Sequence, residues 1–166
     1  MFLKLTARRA KFDFAVVLGL LAGATTLPAV PAYAGECPAG QAAENAMEPG
    51  ATMPSGVTDD VLSSIDLSSK GEAWKGSMLR MRKLVVQPGG VVPWHSHEAR
   101  PANILVVEGS ITEYRSTCKV PIEHRAGEVT AEFGALSHWW KNNGDAVAVL
   151  YSADIVSPEV DHDEAM

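Results

Sequence analysis

Two histidines separated by one residue are the side chains of this sequence best placed to do chemistry. His95 and His97 flank Ser96 in a strand-like stretch. On a β-strand, residues i and i+2 point to the same side, so the two imidazoles would lie side by side at a spacing that suits one metal ion. A pair of surface histidines on an edge strand would show the same spacing, so this pattern leaves a metal site and a plain surface pair both open.

A third histidine, His138, lies 41 residues after His97 in a strand-like run that also holds two tryptophans. A single histidine on an aromatic-rich strand is typical of a buried core residue as well as of a metal ligand. The other two histidines, His124 and His162, are predicted to be bystanders. His162 lies in an acidic tail over residues 157–166, where solvation is the expected state.

The elements that must position these histidines have the pattern of strands. Short strand-like runs with turn residues between them predict an all-β sandwich or barrel. The segment Asn142–Asp145 is a strong hairpin signal, so the strands on its two sides are predicted to pair. Ahead of the strands, residues 35–75 are predicted to form an irregular extension with a short helix that starts near Thr58. The apolar stripe of that helix would be Val61, Leu62 and Ile65.

Two spacings of glycine and histidine resemble the two motifs of the cupin superfamily. They are Gly89-x5-His95-x-His97-x11-Gly109 and Gly127-x10-His138-x3-Asn142. The resemblance covers residues 76–156 and implies a double-stranded β-helix, or jelly-roll, barrel. It also implies that His95, His97 and His138 converge on one divalent transition metal inside that barrel.

The first motif departs from the family at its acidic residue. Ala102, or Pro101 on the shorter spacing, stands where the family has glutamate, and neither side chain can bind a metal. In the second motif, Phe133 and Ala135 replace a proline and a glycine. Three neutral imidazoles leave the charge of a divalent ion uncompensated, which favours an anionic ligand at its open positions. Imidazole ligands do not select strongly among iron, manganese, zinc, nickel and copper, so the metal stays undecided.

Two classes of function follow from these residues. The resemblance implies a metal-dependent, dioxygenase-like enzyme for a small acidic or phenolic substrate, and the alternative is a module that binds a metal or small ligand without turnover.

Arg100 is a candidate to bind a carboxylate, although a surface arginine would need no such role. Trp140 and Asn142 share strand parity with His138 and are candidates to contact the substrate, with core packing of Trp140 as the alternative. No catalytic acid or base is assigned.

The first 34 residues have the composition of a secretory signal peptide. Four basic residues precede an apolar run that ends in the small-residue site Ala32-Tyr33-Ala34, and a transmembrane anchor is the alternative. A general secretory signal fits better than a twin-arginine one, so we expect a periplasmic or secreted protein with no stable membrane insertion after cleavage. Residues 1–34 hold four bases and one acid, so cleavage takes the formal net charge from −6 to −9. Such an acidic chain is a poor partner for nucleic acid.

Both cysteines, Cys37 and Cys118, follow the predicted cleavage site. An even number of cysteines in an exported protein predicts a disulfide between them, with two free thiols as the alternative. The resemblance to small cupins also implies pairing into a homodimer, which would cover unpaired strand edges.

Overall fold

The computed structural model describes residues 35–158. The predicted signal peptide and residues 159–166, which include His162, lie outside the described residues. The strands, in chain order, are β1 Ser55–Asp66, β2 Met78–Ser96, β3 Ala102–Glu108, β4 Ser110–Arg115, β5 Ile122–Arg125, β6 Val129–Glu132, β7 Ser137–Lys141 and β8 Ala148–Val156. The helical elements of residues 35–158 are two short 3-10 turns, at Ser68–Lys70 and Glu72–Trp74. This confirms the predicted all-β class.

The strands form one antiparallel sheet that curls into a nearly closed barrel. Its order is β5-β4-β7-β2-β8-β3-β6, and β1 pairs with β2 beside this path. The long strand β2 serves two neighbours, because its first half pairs with β8 and its second half with β7. Gly89 lies between the two halves with φ of 75°, a left-handed conformation that glycine adopts without strain. The bend lets β2 pair with β8 before it and with β7 after it.

Inward and outward residues alternate along the strands, as the predicted parity requires. On β3, Ala102, Ile104 and Val106 are buried, and on β7 the buried side chains are His138 and Trp140. These residues join the apolar core, since each strand turns alternate side chains to the inside. The buried apolar cluster comprises Leu84, Val86, Val92, Ala102, Ile104, Val106, Ile111, Trp140, Ala148 and Leu150.

The short helix predicted to start near Thr58 is wrong, because that segment is the strand β1. Its residues pair antiparallel with β2, from Val57 opposite Val86 to Asp66 opposite Met78. The ladder satisfies the backbone groups of β1 without a helix, so tertiary pairing overrides the local helical pattern. The predicted apolar stripe does not enter the core: Val61, Leu62 and Ile65 are each more than half exposed.

The hairpin predicted at Asn142–Asp145 is also wrong, because this turn joins strands that are not neighbours. β7 and β8 lie on opposite sides of β2, and the turn crosses over its bend. The Asn142 side chain stabilises the crossing. Its Nδ2 donates to the carbonyl oxygens of Val86 at 2.9 Å and Ala146 at 2.8 Å, and its Oδ1 accepts from the backbone N–H of Gly144 at 2.9 Å.

The N-terminal extension is fastened to the barrel by the predicted disulfide, Cys37–Cys118. Backbone hydrogen bonds continue the attachment, since the N–H of Ala43 donates to the Thr117 carbonyl at 3.1 Å. The N–H of Lys119 donates to the Gln41 carbonyl at 2.9 Å. The extension therefore runs along the loop after β4. Within residues 35–158, no helix has the length and apolar character needed to cross a bilayer.

Replacing both cysteines, as Cys37→Ser with Cys118→Ser, is expected to destabilise the protein. The bridge joins residues 81 apart in sequence. Closing a loop of that length removes entropy from the unfolded chain that is worth roughly 4 kcal/mol. Denaturant unfolding of the oxidised protein measures the loss. A reductant should produce a similar loss in the wild type and none in the double variant, and equal unfolding midpoints of the two oxidised proteins would contradict the expectation.

Candidate metal centre

Neighbouring strands bring the three predicted histidines together inside the barrel. His95, near the end of β2, stands directly opposite His138 of β7 in the antiparallel register. His97 follows β2, and its backbone N–H donates to the Leu136 carbonyl at 2.8 Å. The Nε2 atoms lie 3.0 Å apart for His95 and His97, 2.9 Å for His97 and His138, and 3.1 Å for His95 and His138. The three imidazoles therefore turn one nitrogen each toward a common point.

An oxygen acceptor holds the other nitrogen of each imidazole. The Nδ1 to oxygen distances are 2.8 Å from His95 to the Pro93 carbonyl, 2.8 Å from His97 to the Arg100 carbonyl and 2.5 Å from His138 to a Glu113 carboxylate oxygen. Carbonyl and carboxylate oxygens only accept, so in the neutral ring each Nδ1 carries the proton and each Nε2 presents a lone pair. Three lone pairs then face one another at about 3 Å, an arrangement that a cation would stabilise.

Glu113 is the acceptor behind His138 and the centre of a buried network. Its Oε1 also accepts from Nε of Arg115 at 2.8 Å, and its Oε2 accepts from Nε2 of His124 at 2.9 Å. Burial alone would raise the pKa of Glu113, but the hydrogen bonds to His124 and His138 and the charge of Arg115 hold that pKa well below its usual range. The carboxylate is thus ionised, and it orients His138 as carboxylates do behind metal-binding histidines.

His124 is not the bystander that the sequence predicts. It is 1% exposed, its ring stacks on the Trp140 indole with centroids 4.6 Å apart, and it donates to Glu113. It therefore acts on His138 through the carboxylate. Sequence reasoning missed this role because it depends on β5 pairing with β4, where Ile111 stands opposite His124.

His95 is the least buried of the three histidines and stays neutral. Burial lowers the pKa of its imidazole well below the usual value, and the charges of His138, His97 and Arg100 lower that pKa further. A neutral imidazole is the form that binds metals. Near neutral pH the His95 lone pair is therefore free of a competing proton.

A cavity opens beside His95 and His97. Its internal volume is about 30 Å³, and it is partly open to solvent. The apolar part of the lining is Leu84, Val92, Ile104, Trp140 and Leu150. Besides the two histidines, the polar part is Arg82, Arg100, Glu132 and Ser152. The mixture of an apolar wall and a few polar groups is typical of a site for a small organic molecule.

Three arginines surround one buried aspartate at the edge of this cavity. Asp154 accepts from Arg80 at 2.7 Å, from Arg82 at 3.0 Å and from Arg100 at 3.3 Å, and Arg82 also pairs with Asp59 of β1. Burial by itself raises the pKa of Asp154, but the hydrogen bond from Arg80 and the charges of the three guanidinium groups lower it below its usual value. Asp154 thus stays ionised and holds the guanidinium groups of Arg82 and Arg100 at the cavity.

Of the three residues predicted to contact a substrate, two line the cavity and one does not. Arg100 and Trp140 both line the cavity, and each is 3% exposed, so Arg100 is not the surface residue that was its alternative. The indole Nε1 of Trp140 lies 3.1 Å from Nδ1 of His138, so this tryptophan also contacts the histidine cluster. Asn142 is fully buried outside the lining, and its amide is engaged in the turn after β7. It therefore has a structural place rather than a ligand-facing one.

One acidic residue that the sequence did not single out lies at the cluster. Glu132, at the end of β6, is 1% exposed, and its Oε2 is 3.0 Å from Nε2 of His97 and 3.6 Å from Nε2 of His138. Glu98, the nearest acid to the histidine pair in sequence, is exposed. Strand parity along β6 could have placed Glu132 inward together with Thr130, since both are buried at alternate positions.

Comparison with known proteins agrees with this architecture. The family model described as "Cupin domain" matches residues 82–154. The search of curated proteins found no match.

Solved structures similar to this chain include three cupin domains. The Cnp3 cupin domain of Schizosaccharomyces pombe is 12% identical with a TM-score of 0.50, over 62% of this chain and 66% of that one. A cupin-2 domain of Rhodospirillum rubrum is 16% identical with a TM-score of 0.49, over 65% and 64%. The Cupin_2 domain of an XRE family transcriptional regulator of Enterobacter cloacae is 13% identical with a TM-score of 0.46, over 63% and 100%. The chain thus spans just under two thirds of the first two, and the likeness concerns the fold alone.

The Glu113→Gln substitution is expected to remove a strongly deshielded proton from the spectrum. A proton shared between Nδ1 of His138 and a carboxylate oxygen at 2.5 Å resonates far downfield in 1H NMR. A neutral amide makes a weaker hydrogen bond, so the resonance should move upfield or vanish. The control is Glu123→Gln, which changes an exposed carboxylate paired with Arg125 and should leave the resonance in place. A downfield signal that survives Glu113→Gln would contradict the assignment.

The Asp154→Asn substitution is expected to destabilise the fold and to flatten its acid response. Removing one partner of a buried ion pair costs roughly 3–5 kcal/mol. Because folding lowers the pKa of Asp154, its contribution is present above the unfolded pKa and is lost as pH falls through the folded one. Denaturant unfolding between pH 7 and pH 2 should therefore show a smaller loss on acidification in the variant. An unchanged free energy of unfolding at pH 7 would refute this expectation, with Glu123→Gln again as the neutral control.

Proposed function

Because this chain carries a cupin domain and belongs to the cupin superfamily, we propose that His95, His97 and His138 bind one divalent transition metal, and that the centre acts on a small anionic organic molecule. The single observation that carries this proposal is the set of three Nε2 lone pairs facing one another. Protonating any of them would require a cation in a buried site that already contains arginine. A bound metal relieves the same repulsion without adding protons.

The separations of the three nitrogens fit a metal. Two metal–nitrogen bonds of about 2.1 Å at right angles place their nitrogens about 3 Å apart. The observed distances of 2.9, 3.0 and 3.1 Å fall at this value. The donor set also fits, because three neutral imidazoles with fixed tautomers are ligands for iron, manganese, zinc, nickel or copper. When bound, such an ion supplies Lewis-acid polarisation and, if it is redox-active, the means to use oxygen.

The residues around the cavity are suited to holding an anion against this centre. Arg82 and Arg100 line the cavity, and Asp59 and Asp154 hold their guanidinium groups in place. Guanidinium N–H groups make charge-assisted hydrogen bonds to anionic oxygens, which are stronger than bonds between neutral groups. The apolar lining, which includes Trp140, lowers the local dielectric and so strengthens these interactions. We therefore infer a substrate that carries a carboxylate or an acidic phenol.

We place dioxygenase-like oxidation first among the reactions that this arrangement could serve. A specific observation supports the second candidate, which is a metal- or ligand-binding module without turnover. Within the described lining, Glu132 is the one carboxylate, and it lies against the imidazoles instead of facing open space. No other acid or base of that lining is free to move a proton, as a hydrolytic or isomerising reaction would require.

Export of the mature chain is the further part of the proposal. The disulfide Cys37–Cys118 supports it, because such bridges persist in the periplasm and outside the cell and are rare in a reducing cytosol. The charged and apolar pattern of residues 1–34 points the same way.

Metal analysis of the mature protein, purified without chelators, tests the metal centre. We expect close to one transition metal per chain, and loss of that metal in His95→Ala, His97→Ala and His138→Ala. The matched control is His162→Ala, which removes a histidine of the predicted acidic tail and should retain the metal. Less than about 0.2 metal per chain, unchanged by His95→Ala, would refute the site, since a three-imidazole centre holds its ion at stoichiometry.

Oxygen uptake separates the two candidate functions. The metal-loaded protein is offered a panel of small carboxylic acids, phenols and thiols, with His138→Ala as the inactive control. Uptake with an acidic substrate supports the enzyme. Stoichiometric metal without uptake on any member of the panel would move the function to binding without turnover.

A further inference from the structure

A carboxylate and an imidazole lone pair are in contact inside the cavity, where neither can donate. Oε2 of Glu132 lies 3.0 Å from Nε2 of His97. The Nδ1 of His97 donates its proton to the Arg100 carbonyl, so its Nε2 has none to offer. Two acceptors at this distance repel each other unless a cation lies between them. The second oxygen of Glu132, Oε1, has no hydrogen-bond partner among the described residues, although the side chain is 1% exposed.

We propose that Glu132 is the fourth protein ligand of the centre and supplies, from β6, the carboxylate that the first motif lacks at Ala102. The inference rests on the proposed metal site and deepens it. It turns a three-histidine centre into one with three histidines and a glutamate. Because Glu132 lies on a different strand from the first motif, the spacing of that motif along the sequence does not reveal it.

The strand register explains how a glutamate at position 132 could take the place of one at position 102. Ala102 of β3 and Glu132 of β6 are direct partners in the antiparallel ladder. Side chains of directly opposed residues leave their strands about 5 Å apart on the same face, so both positions look into the same part of the barrel. Ala102 is small and buried, which leaves room for the longer side chain across the ladder. A glutamate at either position can therefore bring its oxygens to the same imidazoles.

The fourth ligand changes the charge of the centre and the role of Glu132. Three neutral imidazoles and one carboxylate reduce the excess charge of a divalent ion from two to one. The attraction for an anion then comes from the ion and the arginine cluster together, rather than from a bare divalent charge. A carboxylate used as a ligand is also no longer available as a general base, which agrees with its position against the imidazoles.

Titration with Co²⁺ alone tests this ligand without any assay of activity. The visible absorption of bound Co²⁺ reports its ligand set, and competition with a chelator gives the affinity. We expect Glu132→Gln and Glu132→Ala to bind Co²⁺ at least tenfold more weakly than the wild type, with altered absorption bands. Substitutions of groups that only touch a ligand already weaken metal binding by about 10–100-fold. The exposed Glu123→Gln is the control and should bind like the wild type.

A double variant tests the exchange of position directly. Ala102→Glu combined with Glu132→Ala returns the carboxylate to β3, and we expect it to recover most of the affinity and the absorption bands that Glu132→Ala loses. Circular dichroism and thermal melting establish that each variant is folded. If Glu132→Ala does not fold, Glu132→Gln, which keeps the size of the side chain, takes its place. If the Glu132 variants lose affinity for Co²⁺ and the double variant does not regain it, positions 102 and 132 are not equivalent.

The outcomes also separate this inference from the function on which it rests. Wild-type affinity and bands in both Glu132 variants, together with loss of binding in His138→Ala, would overturn the inference and leave the metal centre standing. Failure of the wild type to bind Co²⁺ at all would overturn both.

Discussion

The structure of this site depends on one set of hydrogen bonds, from Nδ1 of three imidazoles to three fixed oxygens. Each bond fixes a tautomer, and together they force three Nε2 lone pairs to within 3.1 Å of one another. Two of the oxygens are backbone carbonyls and the third belongs to Glu113. The repulsion that results is the reason to infer a cation, and the proposed metal centre and its proposed fourth ligand both rest on it.

Two networks of buried charge surround that arrangement. Glu113 is surrounded by Arg115, His124 and His138, and Asp154 by three arginines. Buried ion pairs are weak sources of stability, because the cost of desolvation nearly offsets their attraction. Their value here is positional. The first network holds His138 in its tautomer, and the second places two guanidinium groups at the cavity.

Local patterns succeeded where one strand by itself decides the outcome. Parity along β7 predicted correctly that Trp140 lies on the same face as His138, and the glycine and histidine spacings identified the barrel. They failed where pairing between distant segments decides. The segment after Thr58 has a helical pattern but becomes β1, because β2 offers it a ladder. The turn at Asn142–Asp145 has a hairpin composition but joins strands separated by β2.

The sequence by itself determined the all-β class, the two histidine motifs, the pair of cysteines and the absence of a carboxylate at Ala102. Only the tertiary structure decided which acidic residues surround the histidines. Glu113 and Glu132 reach the site because β4 pairs with β7 and β6 pairs with β3. Those pairings fix contacts between residues far apart in the chain. Spacing along a sequence records which residues share a strand face, but it does not record which strand lies next to which.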